Sequence, residues 1–364
     1  MYMYENADWP SFRWSGDKIT KLLLETKHAQ GYLLGKMDRL GFEIQNAATL
    51  KVLTEDVIKS SEIEGEILNL NQVRSSIARR LGIDVGGDII VNRNVDGIVD
   101  IMLNATQNFD NPMSKDRLIG WHAALFPTGY SGLYKIDIGN YRSDKFGRMQ
   151  VISGYIGKEK VHYEAPKAEV LDSEMNVFFD YINTPSDVDL IIQAGIVHLW
   201  FVTLHPFDDG NGRIARALAD MILARSDKTK HRFYSMSSQI KKERSSYYNV
   251  LEKAQKGSLD ISGWLEWFLQ NLLKAFTSSD EIIDDVLKKA EFWNKHLSVN
   301  FNDRQRKVLN KLFDNFQGHL TTMKWAKICK CSQDTATNDI NDLVNKKILK
   351  KVGLARSTHY IIKN

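Results

Sequence analysis

Residues 204–218 read LHPFDDGNGRIARAL and place a histidine, two aspartates, two glycines and two arginines within a dozen positions. An apolar stretch, 187–204, comes directly before and predicts a buried helix. The proline after His205 ends that helix, so His205 is expected at its last turn. Arginine is disfavoured at a helix N-terminus, which carries partial positive charge. Arg213 and Arg216 therefore predict that a negative group lies beside them.

The glycines around Asn211 favour an anion site. Because Gly210 and Gly212 permit backbone conformations that other residues resist, successive N–H groups can point to one place. A helix expected to start near Arg213 adds its own N-terminal N–H groups. Arg213 and Arg216 share one helix face, and each guanidinium can bind two phosphate oxygens. The pattern predicts a polyphosphate site.

The acidic and histidine side chains of the same stretch indicate reaction chemistry. Asp208 or Asp209 would be repelled by bare phosphates but would suit a Mg²⁺ ion that bridges them. His205 has an ordinary pKa near neutrality and could take a proton from an attacking hydroxyl. Together these residue types predict nucleotide binding and phosphorus chemistry.

The stretch resembles the Fic-domain motif. HPFDDGNGRIAR fits H-x-F-x-[D/E]-G-N-G-R-x-x-R at every fixed position, and the resemblance extends over about 115–270. It implies a protein adenylyltransferase, an enzyme that transfers AMP from ATP to a hydroxyl side chain (Ser, Thr or Tyr) of a protein and releases pyrophosphate. The roles it implies are a base for His205, a Mg²⁺ ligand for Asp209, and phosphate binding for Gly210, Asn211, Gly212, Arg213 and Arg216.

Transfer of another nucleotide, or removal of AMP by the resting form, stays open, because the loop is expected to bind phosphates rather than the base. A Doc-like enzyme would transfer phosphate instead, but the loop at 205–216 matches the AMP-transferring pattern throughout. A DNA-binding regulator with a nucleotide-sensing domain and little catalysis is the alternative in another class.

A second motif, SSEIEGE at 60–66, follows an amphipathic helix. By chemistry alone it is a solvated acidic turn, with Gly65 near the helix end. Fic proteins often carry an inhibitory helix with the pattern [S/T]-x-x-x-E-[G/N], and Ser60, Glu64 and Gly65 resemble it. The resemblance implies autoinhibition in which Glu64 pairs with Arg216 and removes the partner of the γ-phosphate.

Two weaker assignments concern substrate binding. The hairpin region 142–163 is similar to the family's flap, which holds the target segment by strand addition, and Met149, Gln150, Val151 and Ile152 are expected at the docking edge. An ordinary surface hairpin has equal weight. Tyr247, Tyr248 and Asn249 could line an adenine pocket, although aromatic residues at this spacing are more often core.

Helical periodicity covers most of the chain, so the predicted fold class is mainly α. We expect a Fic-type helical bundle with a β-hairpin flap, plus a C-terminal winged helix-turn-helix. The predicted domains are an N-terminal helical region with the inhibitory helix (1–110), a Fic catalytic domain (111–275), a linker helix (276–302) and a winged-helix domain (303–364).

The last 62 residues differ from the rest in charge. They hold 13 basic against 5 acidic residues, whereas the first 302 hold 36 against 40. DNA is therefore a candidate partner for 303–364, through basic residues of the wing: Lys346, Lys347, Lys350, Lys351 and Arg356. Asp334, Asp339 and Asp342 on the expected recognition helix argue against it, and docking of a protein partner is equally compatible.

Other features of composition bound the cellular context. Cys329 and Cys331, the chain's two cysteines, are too close for an ordinary disulfide, which favours a reducing, cytoplasmic location. The first residues lack the pattern of a signal peptide, and no apolar run is long enough for a membrane span. The expected partners are a protein substrate, self-modification included, and a second copy of the chain, since the family often dimerises.

Overall fold

The computed structural model describes residues 1–84, 89–145, 147–154, 158, 160–313, 316, 318–354 and 357–363. The chain divides into two compact units, unit 1 (Met1–Ile282) and unit 2 (Ile283–Asn364). The division falls within the segment 276–302 that the sequence predicts as a linker. The described part of the chain is mainly helical, and the predicted fold class is confirmed in this respect.

Unit 1 contains helices that follow the predicted periodicity closely. They are α1 (Gly16–Asp38), α2 (Phe42–Ile63), α3 (Leu70–Leu81), α4 (Arg93–Gln107), α5 (Lys115–Leu125), α6 (Leu171–Asn183), α7 (Leu190–Leu204), α8 (Asn211–Asp227), α9 (Met236–Lys242), α10 (Arg244–Gln255) and α11 (Ser262–Lys295), the last of which continues past the division. The sequence analysis missed α9, which has only seven residues and opens after Ser235, a serine that caps it by accepting from the Ser238 N–H.

Helix α7 occupies the centre of unit 1. Every residue from Ile191 to Leu204 is buried, as expected for a helix that is apolar on all sides. Helix α8 packs along α7, and α2 and α4 pack against α8. The loop 205–210 therefore connects two helices that are both fixed in the core.

Two short strand pairs flank this loop region. In the first, β1 (Tyr130–Ser131) pairs with β2 (Tyr134–Lys135); in the second, β3 (Gln150–Ser153) pairs with β4 (Lys160–Glu164). Both pairs are antiparallel, and the register of the second shifts between Val151 and Ile152. The β3–β4 hairpin begins within the predicted hairpin region 142–163 and ends one residue beyond it, at Glu164, whereas the β1–β2 pair is an addition.

Unit 2 has its own core. Helices α12 (Asp303–Phe313), α13 (Thr322–Cys329) and α14 (Gln333–Asn345) are followed by an antiparallel pair, β5 (Leu349–Val352) and β6 (His359–Ile362). Apolar side chains from all three helices and β5 close the core, among them Val308, Leu309, Trp325, Ile340 and Leu349. Three helices followed by two strands is the order that the sequence predicts, and the assignment as a winged helix stays a prediction.

A helix that crosses a membrane must be long and predominantly apolar. Within the part of the chain that the structure describes, no helix combines the length and the apolar character needed to cross a membrane.

Candidate active site

His205 ends helix α7 in a left-handed conformation, with φ of +49°. Its Nδ1 lies 3.3 Å from the backbone oxygen of Val202. Because a carbonyl oxygen can only accept, Nδ1 carries the proton in the neutral ring and Nε2 is the basic nitrogen. The burial of α7 behind it fixes the position of this nitrogen.

The protonation state of His205 follows from its surroundings. Burial lowers the pKa of His205 to about 4, and the positive charge of Arg142 acts in the same direction. The Val202 carbonyl and the carboxylates of Glu64 and Asp209 oppose the shift. At neutral pH the ring is therefore uncharged and able to accept a proton.

Helix α8 begins at Asn211, two residues before the start near Arg213 that the sequence predicts. Gly210 precedes it with φ of +84°, and a Cβ there would lie 2.9 Å from the Phe126 ring. Glycine is thus required by both backbone conformation and space. The N–H of Ile214 bonds to the Gly210 oxygen at 3.0 Å, so the earlier N–H groups of α8 occupy the first turn, whose donors have no partner inside a helix.

The Asn211 side chain holds the loop closed. Its Oδ1 accepts from the Phe207 N–H at 3.0 Å, and its Nδ2 donates to the Phe207 oxygen at 2.7 Å. Asn211 is 2% exposed, and the Phe207 ring stacks on His122 at 4.0 Å between centroids. The sequence analysis assigned Asn211 a backbone role alone and missed this side-chain clamp.

The negative group that Arg216 requires is Glu64. Their Nη1 and Oε1 atoms form an ion pair at 2.8 Å, and Arg216 is 2% exposed. The arginine also donates from Nε to Ser60 Oγ at 2.9 Å and from Nη2 to the Ser60 oxygen at 2.8 Å. The Glu64 carboxylate covers Gly212, since a Cβ added to Gly212 would lie 2.1 Å from Oε1.

Arg213 is paired as well. Its Nη1 donates to Glu66 Oε2 at 2.7 Å, and its Nη2 lies 3.8 Å from the Asp209 carboxylate. Gly65, with φ of +86°, separates the two glutamates that reach the two arginines. Sequence reasoning missed Glu66, although a second acid two positions after Glu64 was a readable signal.

Arg142 is a further residue that sequence reasoning missed. It is 3% exposed, its Nε donates to the His205 oxygen at 2.8 Å, and its Nη2 donates to the Pro166 oxygen at 2.6 Å. Its own N–H bonds to the Pro206 oxygen at 2.8 Å. Arg142 thus fixes the backbone at the histidine. Its partners are mostly carbonyl groups distant in sequence, and other charged residues lie close to it along the chain, so no local signal singled it out.

Two carboxylates, those of Asp208 and Asp209, belong to the loop itself. The Asp208 carboxylate accepts from the Asp137 N–H at 3.0 Å, and the Asp209 carboxylate accepts from the Ser131 hydroxyl. The Asp209 side chain is 44% exposed. A partly exposed carboxylate fits Mg²⁺, which proteins commonly bind through one or two carboxylates together with substrate phosphates.

The proposed adenine residues do not lie together at a surface. Tyr247 is 2% exposed, and its hydroxyl is 2.8 Å from Nε2 of His198, so both rings belong to the core. Tyr248 is 36% exposed, and Asn249 is exposed. An adenine site at these residues stays a prediction. In this conformation only Tyr248 and Asn249 of the three are exposed enough to line it.

The expected docking residues lie on β3 and just before it. Met149 accepts a backbone bond from Ala165, whereas Gln150, Val151 and Ile152 pair with β4. Among the residues that the structure describes, β3 pairs with β4 alone, so its other edge has the unpaired backbone groups to which a strand could be added. Ile152 is 54% exposed.

A family model matches the segment that contains this loop. Residues 112–223 match the model of the Fic/DOC family, and they include the loop and both arginines. Residues 2–83 match a domain of unknown function, DUF4172, which includes Ser60, Glu64 and Glu66. The two glutamates that pair with the arginines thus come from a different matched segment than the arginines themselves.

Several relatives of the chain are named protein adenylyltransferases. The chain is 26% identical over 210 residues to protein adenylyltransferase Fic from Nematostella vectensis, covering 56% of this chain and 44% of that protein. It is 28% identical over 232 residues to protein adenylyltransferase fic-1 from Caenorhabditis elegans, covering 61% and 42%. The chain therefore spans less than half the length of these relatives.

Solved structures show the same fold. The crystal structure of a Fic family protein from Desulfovibrio desulfuricans G20 aligns with a TM-score of 0.56 at 19% identity and covers 96% of this chain and 97% of that one. A Fic domain containing signaling protein from Bacteroides thetaiotaomicron VPI-5482 aligns with a TM-score of 0.52 at 18% identity, covering 74% and 98%. The predicted Fic-type helical bundle is confirmed.

Proposed function

We propose that this protein transfers AMP from ATP to a hydroxyl side chain of a protein. One observation carries the proposal: a neutral histidine, the first-turn N–H groups of α8 and two arginines meet at a single loop. The names of the curated relatives agree with it. A hydroxyl of Ser, Thr or Tyr is the expected acceptor.

The chemistry assigns each group one task. Nε2 of His205 takes the proton of the attacking hydroxyl, a new P–O bond forms at the α-phosphorus, and the bond to the departing pyrophosphate breaks. The N–H groups at the start of α8 stabilise charge on the α-phosphate, and Arg213 and Arg216 bind the β- and γ-phosphates. When bound at Asp209, Mg²⁺ would neutralise phosphate charge.

Autoinhibition belongs to the same proposal. Glu64 occupies Arg216 and Glu66 occupies Arg213, so neither guanidinium is free for a phosphate in this conformation. The Glu64 carboxylate over Gly212 also places negative charge where the phosphates would lie. ATP held away from this arrangement would not align its α-phosphorus for attack, and a displacement of about 1 Å can reduce the rate about 100-fold.

The decisive experiment follows the label from ATP. Glu64→Gly protein is incubated with Mg²⁺ and ATP labelled at the α-phosphate, and incorporation into protein is measured. We expect strong labelling, weak labelling by the wild type, and none by the matched control Glu64→Gly/His205→Ala. Retention of γ-label instead would indicate phosphate transfer, and equal labelling by wild type and Glu64→Gly would refute the autoinhibition.

Unit 2 supports a second proposal, contact with DNA. Asp339, which by sequence argued against a phosphate-lined groove, is 5% exposed and pairs with Arg304 through Nε at 2.6 Å. It is therefore not presented to a ligand. Lys350 and Lys351 on β5 are exposed, whereas Arg356 lies outside the described residues.

A binding titration tests this second proposal. We expect the full chain to bind a random DNA duplex, with affinity that falls steeply as salt rises. Replacing Lys350 and Lys351 by alanine should weaken binding to all sequences alike and reduce the salt dependence. Binding that is unaffected by both changes would leave unit 2 to a protein partner.

A further inference from the structure

Two buried carboxyl groups connect helix α2 to helix α8. Asp56 on α2 and Asp220 on α8 are each 1% exposed, and their carboxyl groups contact each other. Oδ1 of Asp56 accepts from the Ser235 hydroxyl and from the Ser237 N–H, and Oδ1 of Asp220 accepts from Arg232. The second oxygen, Oδ2, of each residue accepts no hydrogen bond from a donor within the described part of the chain.

Two unpartnered oxygens on touching carboxyl groups satisfy each other if one proton lies between them. Without that proton, two buried negative charges would be in contact, and each Oδ2 would lack a donor. With it, one group donates and the other accepts, and the number of buried charges falls by one. We propose that Asp56 and Asp220 share one proton, and that this proton clamps the C-terminal half of α2 onto α8.

The position of the pair gives the clamp its consequence. Asp56, Ser60 and Glu64 are spaced four residues apart on α2 and its end, so they follow one face. Asp220, Arg216 and Gly212 have the same spacing on α8 in the opposite direction, and the contacts join them as Asp56 with Asp220, Ser60 with Arg216, and Glu64 over Gly212. We call this series of three contacts the α2–α8 ladder. The Asp56–Asp220 contact, the clamp of this ladder, lies next to the Ser60–Arg216 contact.

The charges around the pair come from several elements. Those facing it or its neighbours are Arg216 and Asp227 of α8, Arg232 and Tyr234 of the segment that follows α8, and Lys27 of α1, which acts on Asp227. Arg232 is shared between Asp220 and Asp227, so its single charge does not balance all three buried aspartates. Burial first, and the Asp56 carboxyl as well, raise the pKa of Asp220 to about 8 against the opposing effect of Arg232.

The proton therefore makes the clamp sensitive to pH. The closed pair holds one proton that the separated, solvated carboxyl groups release above about pH 5. Opening of the ladder should become about tenfold more favourable per pH unit until the closed pair itself loses the proton, near pH 8. This consequence, as far as it concerns activity, rests on the proposed AMP transfer.

Asp56→Asn tests the shared proton directly. The amide keeps Oδ1 for Ser235 and Ser237 and supplies from Nδ2 a permanent donor to Asp220, in place of the titrating proton. Asp38→Asn, an exposed position at the end of α1, is the matched control because it removes the same charge away from the pair. Amide hydrogen exchange of the full chain is followed by mass spectrometry in peptides covering 52–63 and 216–223, corrected for intrinsic exchange rates.

We expect the opening constant of these peptides to rise about fifteenfold between pH 6.5 and 8 in the wild type and in Asp38→Asn, and to stay constant in Asp56→Asn. A wild type without pH dependence, or an Asp56→Asn protein that follows it, would overturn the shared proton. A response to Na⁺ or K⁺ at fixed pH and ionic strength would show that a cation joins the two oxygens instead, and would also overturn it.

A second measurement links the clamp to inhibition. The ratio of AMP transfer by Glu64→Gly to that by the wild type should narrow from pH 6.5 to 8, whereas the same ratio in an Asp56→Asn background should not change. Taking the ratio removes the titration of His205 and of the substrate hydroxyl. If no variant transfers AMP, the proposed function fails, yet hydrogen exchange still decides whether the proton is shared.

Discussion

Replacing Glu64 by glutamine removes a charge from the Arg216 ion pair and keeps the side-chain shape. Breaking a fully buried pair costs about 3–5 kcal/mol, and breaking an exposed one about 0.2–1 kcal/mol. Here Arg216 is 2% exposed and the Glu64 side chain 29% exposed, so one partner is dry and the other partly hydrated. We therefore expect a loss of about 1.5–3 kcal/mol in the free energy of unfolding.

Removing the Glu64 charge should also increase the affinity of the protein for nucleotide. A γ-phosphate that no longer competes with a carboxylate for Arg216 gains up to the same amount, roughly ten- to 150-fold in binding. Glu64→Gln is thus expected to melt several degrees below the wild type without ligand, at about 2 °C per kcal/mol for a unit of this size, and to be stabilised more by Mg-ATP.

Thermal unfolding with and without Mg-ATP measures both effects. Glu66→Gln is the matched control, because its partner Arg213 is 10% exposed and Glu66 itself 38%, so its loss should be below about 1 kcal/mol. The reasoning is refuted if Glu64→Gln melts with the wild type and shows the same shift with nucleotide. It is also refuted if the Glu66 variant shows the larger effect.

Three further predictions concern the contacts around the loop. Ser60→Ala leaves a buried guanidinium N–H without its acceptor, at about 1–3 kcal/mol, and should give AMP transfer between the wild type and Glu64→Gly in the labelling assay. Arg142→Lys loses the fork that holds the His205 carbonyl, so in the Glu64→Gly background kcat should fall tenfold or more with little change in the KM for ATP. Burial lowers the pKa of His122 to about 4, so between pH 6.5 and 4 this ring takes up a proton when the protein unfolds. The free energy of unfolding therefore decreases as the pH falls through this range. His122→Phe should reduce the slope of the unfolding free energy against pH by about 1.4 kcal/mol per pH unit.

Periodicity and local rules predicted most of the framework. Helix α7 was predictable because a stretch that is apolar on all sides has few alternatives to a central helix. The start of α8 was placed two residues late, since Gly-Asn-Gly reads as a loop, whereas the structure uses Gly210 as the left-handed residue before the helix and begins at Asn211. Local sequence does not distinguish a glycine turn from a glycine-capped helix start.

Long-range partners were harder to predict. The arginines at a helix start signalled a missing negative charge, and the motif at 60–66 supplied a candidate, but the pairing of Glu66 with Arg213 required coordinates. Arg142, Asp56 and Asp220 left little trace in the sequence, since each is one of several charged residues in an ordinary-looking segment. Burial turns such residues into important ones, and burial depends on packing between distant segments.

The packing of α2 also limits how Arg216 can be released. Residues of α2 ahead of Asp56, such as Val52 and Leu53, are fully buried, so the whole helix cannot leave α8 without exposing core. The contacts described between α2 with its end and the two arginines come from 60–66, which include the last turn of α2 and the left-handed Gly65. Because a glycine turn changes conformation at low energetic cost, release is expected through a local movement of this segment. The part of α2 before Asp56 is therefore held in the core, whereas the segment 60–66 beside the phosphate site can move. The contact between Asp56 and Asp220 lies at the boundary between these two parts.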